Sequence, residues 1–307
     1  MPERRSEKNT MRINPNPLPD LLDALEQNQQ QINTDLEQVA TGQSVNAPSD
    51  NPAAAAALVQ TADESSQADQ FLRSIGSVTA ELQNADSTLN SVTTALQQAI
   101  SLGVEGANGT LNASNQQAIA VQVQGIQSQL VNLANLSYQG NYVFAGTATQ
   151  TAPYVLDSNS PSGVTYVGNS GVNSLTVGNQ YTVDTNLPGS ELFSSSGNDV
   201  FQALQDLITG LQNGDTTAIS AAVGEVTSAS NYIDQQRVFY GNTISQLNSQ
   251  QTYLNSETTQ LAQQQDTLGA ADLPSVISNL ESSQVSQQAT LESISDTLQN
   301  NLFSYLK

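Results

Sequence analysis

Both ends of the 307-residue chain carry apolar or glutamine residues at alternating gaps of four and three positions. This spacing places them on one face of a helix, as in helices that pair along a seam. The N-terminal repeat runs from Leu18 to Val39, and the C-terminal repeat runs from Ile277 to Asn301 or Leu302. We expect the two terminal helices to pair and to leave part of this face for a neighbouring molecule. The subunit-interface residues predicted in this way are Leu18, Leu22, Leu25, Ile32, Leu36, Val39, Leu291, Ile294, Leu298 and Leu302.

Three internal segments repeat in the same rhythm, which predicts long helices in a bundle or coiled coil. The first begins near Pro52, has an unbroken apolar stripe over residues 71–99 and ends within the stretch from Gly103 to Gly109. The second starts around Asn112 to Asn115 and ends before Gly140, and the third covers residues 215–268. The fold class predicted is therefore mainly α.

Capping residues predict where the helices begin and end. Gly42 ends the first helix, because glycine is favoured just after a helix C-terminus. Asp50 and Asn51 are both able to cap the next helix, and Asp199 caps a short helix over residues 199–211.

The middle of the chain changes to short β-type runs separated by Gly, Asn, Ser and Pro, which predicts a small antiparallel β insertion. The runs are 142–144, 164–167, 174–177 and 180–183. The domain organisation predicted from these patterns has four parts: a disordered N-terminus at 1–17, a terminal helical domain of 18–40 with 270–307, a long-helix domain of 41–140 with 198–269, and a β domain at 141–197.

The charge balance narrows the range of partners. Only 7 Lys and Arg stand against 28 Asp and Glu, giving a net charge of −21, and the chain after Met11 has almost no basic residue. Nucleic acid and anionic membranes are bound through basic surfaces, so neither is expected as a partner. The basic N-terminal residues are not followed by an apolar stretch, which argues against a conventional cleaved signal peptide. Met1 and Met11 both remain possible starts.

The residue inventory does not suggest an enzyme. The chain has no Cys and no His, which removes the commonest nucleophile–base pairs and metal ligands. The acidic pair Asp63–Glu64 is expected on a solvated face, and a metal site at Asp199 and Asp206 has no support. We predict no catalytic residue, no metal and no cofactor. Arg237 falls on the apolar stripe, where a structural ion pair with a carboxylate of residues 71–99 is expected.

Several short motifs in order resemble the flagellin superfamily. They are the opening Met11-Arg12-Ile13-Asn14, the loop Thr41-Gly42-Gln43-Ser44-Val45-Asn46-Ala47-Pro48-Ser49-Asp50-Asn51-Pro52, the segments 140–147 and 164–169, the pair Pro153-Tyr154 and the ending 301–306. The Pro-Ser-Asp-Asn-Pro form of the loop resembles the branch that joins the flagellar hook to the filament. The resemblance covers Met11 to Lys307, and residues 1–10 have no counterpart.

The resemblance implies a structural subunit located in the extracellular flagellum at the hook–filament junction. Members of the superfamily are exported unfolded by a type III apparatus, with an uncleaved, disordered N-terminal signal, expected here in residues 1–17. The implied partners are other copies of the chain, a neighbouring hook-associated protein, flagellin, and an export chaperone at the C-terminal helix. A flagellin of the bulk filament and, from another class, a coiled-coil adhesin with a binding β region are the alternatives.

Overall fold

The computed structural model describes residues 18–178 and 181–305, with side chains as far as Leu298 apart from residues 179 and 180. Seven helices account for most of these residues, which confirms the mainly α fold class. They are α1 (Leu18–Thr41), α2 (Pro52–Gly106), α3 (Ala113–Ala134), α4 (Gly189–Leu192), α5 (Val200–Asn213), α6 (Thr216–Gly269) and α7 (Leu273–Tyr305). The predicted disordered N-terminus, residues 1–17, lies outside the described residues.

The capping predictions hold in the structure. Asn51, rather than Asp50, caps α2, because its Oδ1 accepts a hydrogen bond from the Ala54 N–H at 3.1 Å. The Asp199 Oδ1 accepts from the N–H groups of Phe201 and Gln202, both at 2.9 Å, and so caps α5. Gly42 ends α1 with a φ of 70°, a conformation that glycine adopts without strain.

The β region consists of three antiparallel strand pairs, as the fold class predicts. The strands are β1 (Ser137–Tyr138), β2 (Asn141–Tyr142), β3 (Tyr154–Leu156), β4 (Val164–Tyr166), β5 (Ser174–Gly178) and β6 (Tyr181–Asp184), paired β1–β2, β3–β4 and β5–β6. The run 142–144 was predicted as one strand, but β2 ends at Tyr142. Val143 and Phe144 turn inward and are buried in the core. β1 and β3 lie outside the predicted runs.

Two compact units divide the chain. Of the described residues, 18–65 and 260–305 form the terminal unit, and those between 66 and 259 form the central unit. The four-part domain organisation stays a prediction. No described helix is long and apolar enough to cross a bilayer.

The central unit holds the hydrophobic core. On α2, Leu82, Leu89 and Leu96 recur at seven-residue intervals with at most 1% of their surface exposed. α6 repeats the interval with the buried residues Ile219, Val226, Ile233, Tyr240, Leu247 and Leu254. The β region joins this core through an aromatic cluster in which the rings of Tyr154 and Phe201 lie 5.0 Å apart. Burial of the Tyr154 side chain in this cluster raises the pKa of its hydroxyl group above the ordinary value.

Candidate assembly surface

In the terminal unit, α1 and α7 pair in antiparallel fashion. Asn28 Nδ2 donates to Ser286 Oγ at 3.2 Å, and Gln287 Nε2 donates to Gln29 Oε1. Toward the other end of the pair, the backbone N–H of Ser44 donates to the Gly269 carbonyl at 2.7 Å. The predicted pairing of the chain termini is therefore present, and polar side chains contribute to it as well as apolar ones.

The loop between α1 and α2 is held by the carboxylate of Asp50. Its Oδ2 accepts from the backbone N–H groups of Asn46 at 3.0 Å and Ala47 at 2.8 Å. These two bonds favour the charged form and lower the pKa of Asp50 below its ordinary value. The motif on which the family resemblance rests is thus a hydrogen-bonded turn ending in the Asn51 cap.

The inner face of the helix pair is only partly apolar. Ile32 on α1 and Val276 on α7 are buried, but the most enclosed side chain of α1 is Asp35, with 2% of its surface exposed. Asp35 Oδ1 accepts from Gln31 Nε2 at 2.9 Å, whereas Oδ2 has no hydrogen-bond partner among the described residues. A buried polar atom without a partner costs stability, so this face holds the unit together weakly.

A second set of apolar side chains on α1 and α7 remains exposed to solvent. We call it the outer stripe: Leu22 (49% exposed), Leu36 (48%), Val39 (38%), Leu273 (39%), Ile277 (45%), Leu291 (49%) and Leu298 (44%). Leu22 and Leu36 are two heptads apart on α1, and the intervals on α7 include two heptads between Ile277 and Leu291. The repeat therefore continues on the solvent side of each helix.

The structure divides the ten predicted interface residues between two faces. Five lie in the outer stripe: Leu22, Leu36, Val39, Leu291 and Leu298. Four others, Leu18, Leu25, Ile32 and Ile294, are half-buried or buried within the terminal unit. The side chain of Leu302 lies outside the described residues. Leu273 and Ile277 are exposed in the same way but were not among the predicted interface residues, although Ile277 begins the predicted C-terminal repeat.

The terminal unit has little core of its own. Its described residues include four buried apolar side chains, those of Ile32, Ala54, Leu261 and Val276, each 6–8% exposed. Nine of the eighteen exposed large apolar side chains of the described residues nevertheless belong to it. Exposed apolar side chains of this number make the terminal unit the candidate for a contact with another macromolecule.

The electrostatics of the unit are one-sided. Its described ranges, residues 18–65 and 260–298, contain no Lys or Arg, while Asp and Glu recur throughout. Identical units therefore repel one another at low ionic strength, and an attraction between copies has to come from apolar burial.

The described residues contain no cluster of three or more acidic side chains arranged for a metal ion. Asp199 serves as a helix cap, and the carboxylate of Asp206 accepts from Gln202 Nε2 at 2.9 Å. Both carboxylates thus have structural roles in α5.

Comparisons with known proteins relate both the sequence and the fold to flagellar proteins. The family model of the bacterial flagellin N-terminal helical region matches residues 19–149, which include α1, α2 and α3. The flagellar hook-associated protein 3 of Escherichia coli (strain K12) is 39% identical over 119 residues. The protein of that name from Salmonella typhimurium gives the same identity over the same length. In both cases the aligned region spans 38% of this chain and 38% of the relative.

Solved structures show the same fold. A putative flagellar hook-associated protein from Vibrio parahaemolyticus superimposes with a TM-score of 0.67 at 20% identity, covering 72% of this chain and 100% of that one. FlgL of Bacillus cereus gives 0.56 at 24% identity, covering 67% and 97%. The flagellar junction protein FlgL of Legionella pneumophila gives 0.59 at 14% identity, covering 70% and 100%. Together with the sequence matches, these structures confirm the predicted resemblance.

Proposed function

We propose that this chain is a structural subunit of the bacterial flagellum that joins the hook to the flagellin filament. The observation that carries the proposal is the composition of the terminal unit, which buries four apolar side chains and exposes a stripe of seven. The names of the curated relatives and the superimposable structures support the flagellar setting. An enzymatic activity forms no part of the proposal.

The mechanism is burial of the outer stripe between neighbouring subunits. Complete burial of a Leu, Val or Ile side chain contributes roughly 1.5–3 kcal/mol, and side chains that are already half-covered contribute about half of that. Seven such residues offset part of the entropy lost when a subunit joins an assembly. The contact is heterologous, because different surfaces of successive subunits meet, and such contacts build rings or open helices instead of closed dimers.

The partners of the stripe are other copies of the chain, the adjacent hook-associated protein and the first flagellin subunits. Before assembly, an export chaperone covers α7, and the chain leaves the cell through the flagellar type III apparatus without a cleaved signal. Support for this route comes from the weak α1–α7 face with its buried Asp35 and from the absence of disulfides. A helix pair that opens readily is suited to passage as an unfolded chain.

Flagellin of the bulk filament is the second candidate, because the family model that matches residues 19–149 describes the N-terminal helical region of flagellin. The number of subunits distinguishes the two. A junction protein is present as a short collar at the base of the filament, whereas flagellin accounts for its whole length. Immunogold labelling of intact flagella measures this directly.

The outer stripe is tested by Leu22→Asp and Leu298→Asp, introduced into the chromosomal gene of the source bacterium. We expect hooks without filaments and flagellin released into the medium, because a charge in the stripe opposes burial. Gln27→Asp is the matched control, since Gln27 is exposed on α1 outside the stripe. This control is expected to retain filaments.

Secretion and folding are followed in parallel. Each variant is assayed in the culture medium, and its helix content is compared with that of the parent protein. Filaments of normal number and length with both stripe variants would contradict the proposed interface. Deletion of the whole gene without loss of filaments would contradict the junction function itself.

A further inference from the structure

The chain contains two Asn-Gly pairs, and the structure places them in very different backbone settings. Asn108-Gly109 lies in the connection between α2 and α3, whereas Asn213-Gly214 lies at the end of α5. In an Asn-Gly pair the glycine nitrogen is able to attack the asparagine side chain, because no Cβ on the glycine obstructs the approach. The reaction requires a backbone that is free to rearrange, and this requirement separates the two sites.

Asn108 sits in an exposed turn. The Leu111 N–H donates to the Asn108 carbonyl at 3.0 Å, with Gly109 and Thr110 as the central residues. Asn108, Gly109 and Thr110 are all exposed, and a Cβ built on Gly109 would have no atom within 4 Å. In the described part of the chain, the Gly109 N–H has no hydrogen-bond acceptor. The attacking nitrogen is therefore unengaged and open to water.

The side-chain carbonyl of Asn108 receives two hydrogen bonds from Thr110. Its Oδ1 accepts from the Thr110 N–H at 3.1 Å and from the Thr110 Oγ1 hydroxyl at 2.9 Å. Attack on Cγ moves negative charge onto this same oxygen. Donors already directed at an atom where charge develops lower the barrier of the step.

We propose that Asn108 is a site of self-modification by deamidation, assisted by Thr110. The Gly109 nitrogen forms a bond to Cγ of Asn108, and the Cγ–Nδ2 bond breaks. Nδ2 leaves as ammonia with the proton that the Gly109 nitrogen gives up, which produces a five-membered succinimide. Water then opens the ring at Cγ to give aspartate or at the backbone carbonyl to give isoaspartate. No oxidant or reductant takes part.

Asn213 is protected by the end of its helix. It is the last residue of α5, and Gly214 follows in the left-handed conformation with a φ of 67°. The Gly214 N–H is directed at the carbonyls of Gly210 and Leu211. The Asp215 N–H donates to the Gly210 carbonyl at 3.1 Å and fixes the same turn. Attack by the Gly214 nitrogen would have to break this helix cap first.

The two products have different consequences for the turn. Aspartate at position 108 retains a side-chain oxygen for the Thr110 donors and adds one negative charge. Isoaspartate inserts an additional backbone carbon between Asn108 Cα and Gly109, which disrupts the bond from the Leu111 N–H. The site therefore produces a slow, irreversible change in the α2–α3 connection. The reaction is independent of the proposed assembly function.

The test follows both sites in the same purified full-length chain during incubation at neutral pH. At intervals the protein is digested, and the deamidated fraction of the peptides containing residues 108 and 213 is measured by liquid chromatography and mass spectrometry. Isoaspartate is detected with an isoaspartyl methyltransferase. We expect conversion at Asn108 to be at least tenfold faster than at Asn213. In urea, where both turns are lost, the two rates are expected to agree within a small factor.

The assisting hydroxyl is tested by Thr110→Val, which removes one donor and leaves the other in place. We expect a slowing of about threefold to tenfold, which corresponds to the usual net contribution of one hydrogen bond. Thr209→Val makes the equivalent change at an exposed threonine of α5. It is expected to leave the deamidation rate at Asn108 unchanged. Equal rates at Asn108 and Asn213 in the folded chain would overturn the proposal. An unchanged rate in Thr110→Val would do the same.

Discussion

The guanidinium of Arg237 on α6 forms a bidentate ion pair with the carboxylate of Asp86 on α2. Nε lies 2.9 Å from Oδ1 of Asp86, and Nη2 lies 3.3 Å from Oδ2. Nη1 donates to Asn90 Oδ1 at 3.1 Å and lies 3.5 Å from Asp234 Oδ1. The ion pair predicted between Arg237 and a carboxylate of residues 71–99 is confirmed, and it links the two longest helices within the central unit.

Arg237→Met tests what this network contributes to stability. The methionine keeps an apolar stem against the bundle but removes the pair with Asp86, so we expect a loss of about 0.5–1.5 kcal/mol in the free energy of unfolding. Arg73→Met is the matched control, because Arg73 is exposed on α2 and has no ion pair within the described residues. Its expected effect lies within about 0.5 kcal/mol. Equal losses in the two variants, measured by urea unfolding, would exclude a special role for the network.

Two glycines of α2 are predicted to respond in opposite directions to alanine. A Cβ at Gly103 would lie 2.5 Å from Val223 Cγ2 and 3.1 Å from Leu207 Cδ1, so Gly103→Ala overpacks the junction of α2 with α5 and α6. We expect a loss of about 1–3 kcal/mol. Gly76 has open space at the same position, and Gly76→Ala is expected to stabilise by about 0.5–1 kcal/mol through helix propensity. Thermal unfolding of both variants checks the signs, and stabilisation by Gly103→Ala would show that this contact is not tight.

The Asp199 cap should make stability depend on pH. Desolvation raises the pKa of Asp199 above its ordinary value of 3.8, although the bonds from the Gln202 and Phe201 N–H groups lower it in part. The folded state then holds this proton more tightly than the unfolded state, so ionisation of Asp199 costs stability as the pH rises above 3.8. Asp199→Asn keeps the cap without the charge. We expect its stability relative to the parent protein to increase from acidic to neutral pH.

The matched variant for this cap is Asp199→Ala, which loses the acceptor. It is expected to lose about 1 kcal/mol of stability relative to Asp199→Asn. Urea titrations of the three proteins at several pH values supply the measurement. A constant difference between Asp199→Asn and the parent protein would contradict the raised pKa.

Hydrogen exchange in the isolated chain should separate the two units. We expect amide protons of residues 75–99 to be strongly protected, because their helix is buried in the main core. The α1 and α7 amides should exchange much faster, since the terminal unit has four buried apolar side chains among its described residues. Assembly with other subunits should slow the exchange of these α1 and α7 amides. Equal protection of residues 18–41 and 75–99 in the free chain would show that the terminal unit is stable alone.

Most of the helical architecture was predictable because its signals are local. The four-and-three repeat of α2 and α6 sets which side chains face inward, and Leu82, Leu89 and Leu96 are buried as that repeat predicts. Caps such as Asn51 and Asp199 act within three residues of their own position. The family resemblance depended on a similarly local motif, the turn closed by Asp50.

The assembly surface was less predictable because a repeat marks a face without saying what covers it. Ile32 and Leu36 belong to the same predicted seam, yet the first is buried in the terminal unit and the second is 48% exposed. The inward position of Asp35 had no sequence signal, since a carboxylate on a helix is ordinarily expected in solvent.

The sequence by itself determined the helices, their caps and the mainly α class, because hydrophobic periodicity and capping depend on residues close together in the chain. Only the tertiary structure decided which half of each terminal repeat is covered by the other helix and which half forms the outer stripe. It also decided that Asp86, among the carboxylates of α2, is the one that meets Arg237. Those outcomes depend on the register of helices that are far apart in sequence, which no local pattern specifies.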